Sequence, residues 1–329
     1  MKILVTGGLG YIGSHTTVEL CENNYEVVII DNLSNSKVDV LDKLEQITGK
    51  KIKFYLGDVC DKILLEKIFE EEKIDGVIHF AGFKAVGESV LNPLKYYHNN
   101  LETTINLLEV MEKYNVYNIV FSSTATVYGS PEVLPVKEDC PLTTTNPYAT
   151  TKLFIERILK DLYIANNKWN ITILRYFNPI GSHKSYLIGE NPNGIPNNLM
   201  PYIVKVAIGE LETLSIFGDD YNTYDGTGVR DYIHVCDLAR GHVLALNNMS
   251  GYKYYNIGTG KGTSVLELVN TFEEVNNIKI NKKIAPRRPG DVDIYYADTK
   301  KALDELGFET KYDVKDMCKD SYNYIIKNK

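Results

Sequence analysis

No Cys-x-x-Cys pair occurs in this sequence. Its five cysteines, Cys21, Cys60, Cys140, Cys236 and Cys318, are odd in number and widely spaced. That excludes a disulfide framework and predicts free thiols in a reducing compartment, so a cytoplasmic protein is expected. The six histidines are scattered without ligand spacing, and no metal site is expected. Basic excess is missing as well: a net charge of −7 gives no support to binding of nucleic acid or an anionic membrane. Long apolar runs are absent. The first, Ile3-Leu4-Val5, is soon broken by glycine, too short for a signal peptide or a membrane span. No repeat or low-complexity linker interrupts the chain. What is present is 329 residues of globular composition, 44% hydrophobic and 24% charged, enough for one large or two ordinary domains with real cores.

Lys2 to Thr6 reads as a buried strand, followed by Gly7-Gly8-Leu9-Gly10-Tyr11-Ile12-Gly13 and a helix to about Asn23. The glycines fit both Gly-x-Gly-x-x-Gly and Gly-x-x-Gly-x-x-Gly. Between a strand and a helix they let backbone approach a pyrophosphate, which then rests on the helix N-terminus. A glycine-rich turn alone is weak support for this. The next strand, Glu26 to Ile30, ends in Asp31, 18 residues beyond Gly13. A carboxylate there accepts hydrogen bonds from both ribose hydroxyls of an adenosine and repels a 2′-phosphate, which favours NAD over NADP.

Three more strand–helix units follow, with strands at Ile52 to Leu56, Gly76 to Phe80 and Asn118 to Ser123 and a helix at Pro93 to Tyr114. The alternation predicts a doubly wound parallel sheet, with ligands at the carboxyl ends of its strands. Gly57-Asp58-Val59 is placed to meet an adenine. Thr124 arrives at the same edge, either as a strand-end cap or as a hydroxyl that relays a proton or holds a substrate hydroxyl. Next comes Asn146-Pro147-Tyr148-Ala149-Thr150-Thr151-Lys152. A helix from Tyr148 to about Asn166 projects Tyr148 and Lys152 from one face, and Pro147 suits its first turn. An ammonium beside a tyrosine favours the phenolate, lowers its pKa from about 10 and makes the oxygen a usable base. Taken alone, Tyr-x-x-x-Lys is common by chance.

Together, the glycine turn, the acid after strand two, the hydroxyl after strand five and Tyr-x-x-x-Lys resemble the extended short-chain dehydrogenase/reductase superfamily. Longer blocks are similar to its UDP-glucose 4-epimerase family: Val5-Thr6-Gly7-Gly8, Lys84-Ala85-Val86-Gly87-Glu88-Ser89, Ala125-Thr126-Val127-Tyr128-Gly129, Leu174 to Pro179, Gly194 to Tyr202 and Gly226 to Val235. The resemblance runs from Lys2 to about Leu306. It departs at Thr124, where many family members carry serine; the same hydrogen bonding is open to both.

The resemblance implies an α/β, Rossmann-type sheet domain over residues 1–180 and a smaller mixed α/β substrate domain over 181–329, with some segments returning to the first. It implies NAD contacts from Gly7, Gly10, Tyr11, Ile12, Gly13, Asp31, Asn32, Asn35 and Ser36. Asp58, Val59, Phe80, Ala81, Lys84, Asn99, Ser122 and Phe177 complete the cofactor set with Tyr148 and Lys152. Tyr148, Lys152 and Thr124 are the implied catalytic residues. A UDP-hexose is expected to meet Lys84, Thr124, Tyr148, Asn178, Asn198 and Leu199. Phe217, Arg230, Tyr232, Arg288, Asp291 and Tyr295 complete that set, the two arginines reaching the diphosphate through their planar forks. Without the resemblance, Arg287-Arg288 reads as a solvated basic pair. Asp219, Asp220 and Asp225 lack EF-hand spacing and read as a turn. Tyr295 aligns with a position that limits room beside the sugar's C2 substituent, so UDP-glucose and UDP-galactose are expected over the N-acetylhexosamines. A homodimer through helices near Leu101 to Tyr114 and Lys152 to Tyr163 is implied. Nucleotide-sugar 4,6-dehydratases share the fold but carry Asp-Glu after the strand-five threonine, where this chain has Ala125-Thr126. A UDP-glucuronate 4-epimerase stays open, because recognition at C6 is not legible. A non-enzymatic NAD-binding regulator is disfavoured by the presence of both Tyr148 and Lys152.

Overall fold

The short apolar run near the start of the chain becomes an inner strand of the fold. In the computed structural model, which describes every residue except Asn193, Ile195, Asn197 and Pro289, Ile3, Leu4 and Val5 are all fully buried. Two of the undescribed residues, Ile195 and Asn197, belong to the Gly194–Tyr202 block noted above. The chain runs β1 (Lys2–Thr6), α1 (Tyr11–Glu22), β2 (Glu26–Asp31), α2 (Asp39–Thr48), β3 (Lys53–Leu56), α3 (Lys62–Glu72) and β4 (Gly76–His79). Then come α4 (Val86–Leu91), α5 (Pro93–Lys113), β5 (Asn118–Thr124), a single 3-10 turn at Ala125–Tyr128, α6 (Pro147–Ala165) and β6 (Asn170–Tyr176). The remainder is β7 (Asn178–Ile180), α7 (Leu199–Ala207), β8 (Leu214–Phe217), β9 (Val229–Arg230), β10 (Tyr232–His234), α8 (Val235–Asn247) and β11 (Tyr252–Ile257). It closes with β12 (Thr263–Ser264), α9 (Val265–Asn276), β13 (Lys282–Ala285), β14 (Ile294–Tyr295), α10 (Lys300–Leu306) and α11 (Val314–Lys327).

Seven strands form the main sheet in the order β11-β6-β5-β4-β1-β2-β3. Every pairing among β1 to β6 is parallel. Such strands are covered on both faces, which explains their near-continuous apolar sequences. Leu4, Val28, Val77, Ile119 and Ile171 share one core with Leu107, Leu108, Ile155 and Leu159. The strand order reverses at β1, between β2 and β4, and the crevice at such a reversal is where doubly wound sheets bind ligands.

Two compact units divide the chain: residues 1–129, 141–176 and 239–255 make the first, and 130–140, 177–238 and 256–329 the second. A single cut near 180 misses two exchanges of short segments. Residues 130–140 belong to the second unit because Val136 hydrogen-bonds Tyr296 and Asp298 there (2.9 and 2.8 Å). Residues 239–255 belong to the first, where Gly251 accepts from Ile171 at 2.7 Å. The second unit is built from two- and three-stranded sheets around a core that includes Ile180, Met200, Ile216, Leu268, Phe272 and Met317. Among the described residues, no helix is long and apolar enough to cross a membrane.

Candidate active site

The start of α6 positions the two candidate catalytic side chains, Tyr148 and Lys152. Asn146 caps the helix, its side-chain oxygen accepting from the Ala149 N–H at 2.9 Å, an arrangement worth about 1 kcal/mol. Pro147 takes the first helical position, where no N–H is required. Tyr148 is therefore held in the first turn, with Lys152 one turn further along the same face. The Lys152 side chain is buried, its ammonium donating to the Ser122 carbonyl at 2.7 Å and lying 4.8 Å from the centre of the Phe121 ring. Burial pulls the Lys152 pKa down to about 8, opposed by the negative charge of Glu156.

Burial pushes the Tyr148 pKa up to about 12, and the Thr124 side chain beside it pulls in the other direction. Burial thus opposes the lowering expected from Lys152, whose ammonium is directed at the Ser122 carbonyl.

Thr124 takes the strand-end cap position of one of its two expected readings. It is the last residue of β5 and caps the 3-10 turn, accepting from the Thr126 N–H at 3.2 Å. Its hydroxyl also lies 2.9 Å from that of Thr126.

The glycine turn is a close-packed cradle. Gly7 has a φ of +68°, and a Cβ on Gly13 would stand 2.3 Å from the Gly7 carbonyl oxygen. Only hydrogen fits there, so a ligand meets bare backbone. Gly10 starts α1 with no side-chain cap, and Tyr11, Ile12 and Gly13 form its first turn. Asp31 accepts from the N–H groups of Leu9 (3.1 Å) and Leu33 (2.9 Å) and from the Ser36 hydroxyl (2.7 Å). The carboxylate thus braces the glycine turn against the loop that carries Asn32, exposed Asn35 and Ser36. Asn32 donates to Asp58 at 2.8 Å. Burial alone would raise the Asp58 pKa, but this bond and the Cys60 N–H hold the carboxyl below its usual range. Val59 beside it is buried. Phe80 and Ala81 follow β4 and are tied to the Thr6 hydroxyl through their N–H groups (3.2 Å each); Lys84 is exposed. The bare backbone, the uncapped helix start and the braced carboxylate fit a dinucleotide.

In the second unit, strand pairing sets Tyr232 opposite Asn178 and Tyr295 opposite Arg230. Arg230 donates to the Val229 carbonyl at 2.7 Å and pairs with Asp291. The adjacent arginines take different partners: Arg287 joins Asp220 at 2.6 Å, while the Arg288 guanidinium lies 4.1 Å over the ring of Phe217. Asn198 and Leu199 stand at the start of α7, where Leu199 packs on the core that holds Ile180 and Tyr232. Phe177 also belongs to this unit, its ring 5.5 Å from that of Tyr295. Asp225 accepts from the Thr227 N–H and hydroxyl (2.9 and 2.8 Å), as a turn residue does.

Several supporting residues escaped sequence reasoning. The Asn100 side chain accepts from the Phe83 N–H (2.8 Å) and donates to the Phe83 carbonyl (3.1 Å) and the Thr151 hydroxyl (3.0 Å). It locks the loop after β4 to α6, next to the expected cofactor residue Asn99, whose amide donates to Asn100 at 3.0 Å. His79 bridges the hydroxyls of Thr6 (2.7 Å) and Thr104 (3.0 Å), and burial keeps it neutral by pushing its pKa down to about 3. Neither residue carries a local sequence signal, because each partner is distant along the chain.

The family model for GDP-mannose 4,6 dehydratase matches residues 4–321. The chain is 57% identical to the UDP-glucose 4-epimerase of Bacillus subtilis (strain 168), covering 100% of this chain and 98% of that one. Among solved structures, the UDP-glucose 4-epimerase of Bifidobacterium longum in complex with NAD+ and UDP superposes with a TM-score of 0.96 at 53% identity, covering 100% and 99% of the two chains. The Stenotrophomonas maltophila enzyme, solved with NAD and formylated UDP-arabinopyranose, gives 0.98 at 46% identity, covering 100% and 98%. With likeness of this extent on a doubly wound sheet that carries the Tyr148–Lys152 helix, the chain belongs to the UDP-glucose 4-epimerase family of the extended short-chain dehydrogenase/reductases.

Proposed function

We propose that this protein interconverts UDP-glucose and UDP-galactose by inverting C4 through a transient 4-keto sugar, with NAD as a resident cofactor, and so serves galactose metabolism. The observation that carries this reading is the buried Lys152, its ammonium on the Ser122 carbonyl, one helical turn from Tyr148. Direct inversion at C4 must break an unactivated C–H bond, so oxidation to a ketone and return on the other face is the accessible route. Tyr148 takes the proton from the C4 hydroxyl, directly or through Thr124, and gives it back to the ketone oxygen. Lys152 remains protonated, favours the Tyr148 phenolate and holds the cofactor ribose. NAD, held by the glycine cradle and Asp31, would supply the hydride acceptor and donor for C4, and its positive ring would add to the field that favours the phenolate.

The glycine cradle takes the pyrophosphate of NAD, Asp31 the adenosine ribose, and Asp58 and Val59 the adenine. Asn32, Asn35, Ser36, Phe80, Ala81, Lys84, Asn99, Ser122 and Phe177 complete the cofactor contacts. For the sugar nucleotide, Arg230 and Arg288 take the diphosphate and Phe217 offers an aromatic platform. Asn178, Asn198, Leu199, Tyr232, Asp291 and Tyr295 serve the nucleotide and hexose. The reaction needs a firm grip on UDP and a loose one on the hexose, which must present both faces.

Relatives named UDP-glucose 4-epimerase and neighbours solved with NAD and UDP ligands support this reading. A 4,6-dehydratase is disfavoured because Ala125 and Thr126 follow Thr124, leaving no acid pair to expel water. A cytoplasmic homodimer through α5 and α6 completes the reading. Apolar Ile105 and Phe154 exposed on those helices and five free cysteines support it. Proton NMR of UDP-galactose incubated with purified protein and no added NAD tests the function. Growth of UDP-glucose to an equilibrium mixture is expected. A 4-keto-6-deoxy product, or no change even after NAD is supplied, would overturn it.

A further inference from the structure

Glu156 follows Lys152 by one turn of α6, as Lys152 follows Tyr148, yet the reaction described above gives it no part. Its side chain is 3% exposed and that of its partner Arg175 is 4%. One carboxylate oxygen accepts from the Ser123 hydroxyl at 2.5 Å and from Arg175 Nε at 3.1 Å, and the other accepts from Arg175 Nη2 at 2.7 Å. Arg175 also donates to the Tyr128 hydroxyl at 2.8 Å, with its guanidinium 4.9 Å from the rings of both Tyr128 and Tyr254.

A buried pair of this kind contributes little net stability, since apolar side chains of equal volume serve as well or better. Its location is the informative feature. Ser123 stands between Ser122, whose carbonyl receives the Lys152 ammonium, and Thr124, whose side chain acts on Tyr148. Glu156 therefore joins α6 to the strand end that supplies both of those partners, and Arg175 extends the joint to β6. We propose that Glu156 is a positioning residue for the reaction. Through Ser123 and Arg175 it fixes α6 against β5 and β6, and its negative charge keeps the Lys152 ammonium in place beside Tyr148. The inference rests on the function proposed above.

Among the described residues, the titratable groups packed around the Tyr148–Lys152 pair are few. On α6 itself they are Tyr148 and Glu156. His79 on β4 is held neutral, and Tyr96 on α5 and Tyr176 on β6 are pushed above their usual range by burial. Arg175 on β6 is matched by Glu156 itself and by Tyr128 from the turn after β5. Glu156 is the anion whose field reaches Lys152.

The test compares the pH profiles of NAD-loaded wild type, Glu156→Gln and the double variant Glu156→Gln with Arg175→Met, which leaves no charge uncovered. Folding is followed by circular dichroism and bound cofactor. Loss of the negative charge makes the lysine cation harder to keep. The alkaline limb of kcat/KM should then move to lower pH by about one unit in Glu156→Gln, so that rates on that limb fall about tenfold, and by less in the double variant, where the Arg175 cation leaves as well, with KM for UDP-galactose little changed. A folded Glu156→Gln with the wild-type profile overturns the inference, as does a folded double variant with wild-type kcat and profile, or failure of both variants to fold, which would assign the pair to folding alone. Wild type without epimerase activity would overturn the function, and the inference with it. An active wild type beside unshifted variants overturns the inference only.

Discussion

The Lys152 ammonium is anchored on the Ser122 carbonyl at 2.7 Å. The strand that carries Thr124 thus also orients the charge in the turn after Tyr148. Burial holds the Lys152 pKa near 8, and the role proposed for it requires the cation. A lysine lowered in this way is charged below that pH and loses its charge as pH rises through it. The epimerase rate should accordingly fall above about pH 8, while Lys152→Met should be slow, by about a hundredfold or more, and lack that alkaline limb. Steady-state rates across the alkaline range check this; a limb that persists in Lys152→Met assigns it to another group.

Tyr148 poses the opposite problem. Burial pushes its pKa up to about 12, against the use proposed for it as a base, and the cation of a bound cofactor acts with Lys152 to bring it down. Ultraviolet difference titration, with Tyr148→Phe as the blank, should show a lower tyrosine pKa in NAD-loaded than in cofactor-stripped protein. The variant itself should keep its fold and its NAD but lose activity by about a hundredfold to ten-thousandfold. Near-normal turnover by Tyr148→Phe would remove the tyrosine from the chemistry.

Tyr295 is buried, with its ring against Phe177. If it limits room beside C2 of the sugar, wild type should turn over UDP-N-acetylglucosamine poorly, and Tyr295→Ser should gain on that substrate while changing little on UDP-galactose. Competition between the two substrates measures the ratio. Equal use of both by wild type contradicts the role.

The sheet domain was readable because its signals are local. Apolar runs of strand length alternate with helical stretches, and the glycines around Gly10 sit between β1 and α1, where a Cβ on Gly13 would collide with Gly7. The Asn146–Pro147 start of α6 is equally local, so the shared face of Tyr148 and Lys152 could be placed to within a residue. What escaped depends on contacts between distant residues. Asn100 reaches Thr151, Glu156 reaches Ser123 and Arg175, and Val136 carries its segment into the second unit. The burial that opposes Lys152 at Tyr148 escaped for the same reason. Spacing on a helix gives proximity to Lys152, but burial and the Ser122 carbonyl, both tertiary features, decide where the charge acts.

The central claim is that hydrogen leaves C4 and returns to the same carbon without meeting solvent. Incubating UDP-galactose labelled with deuterium at C4 in ordinary water, and reading C4 of the UDP-glucose formed by NMR and mass spectrometry, tests it most directly. The account predicts that the deuterium is retained in full in the epimerised product. Its replacement by solvent hydrogen would contradict a hydride held within the site and point to inversion by proton exchange with water.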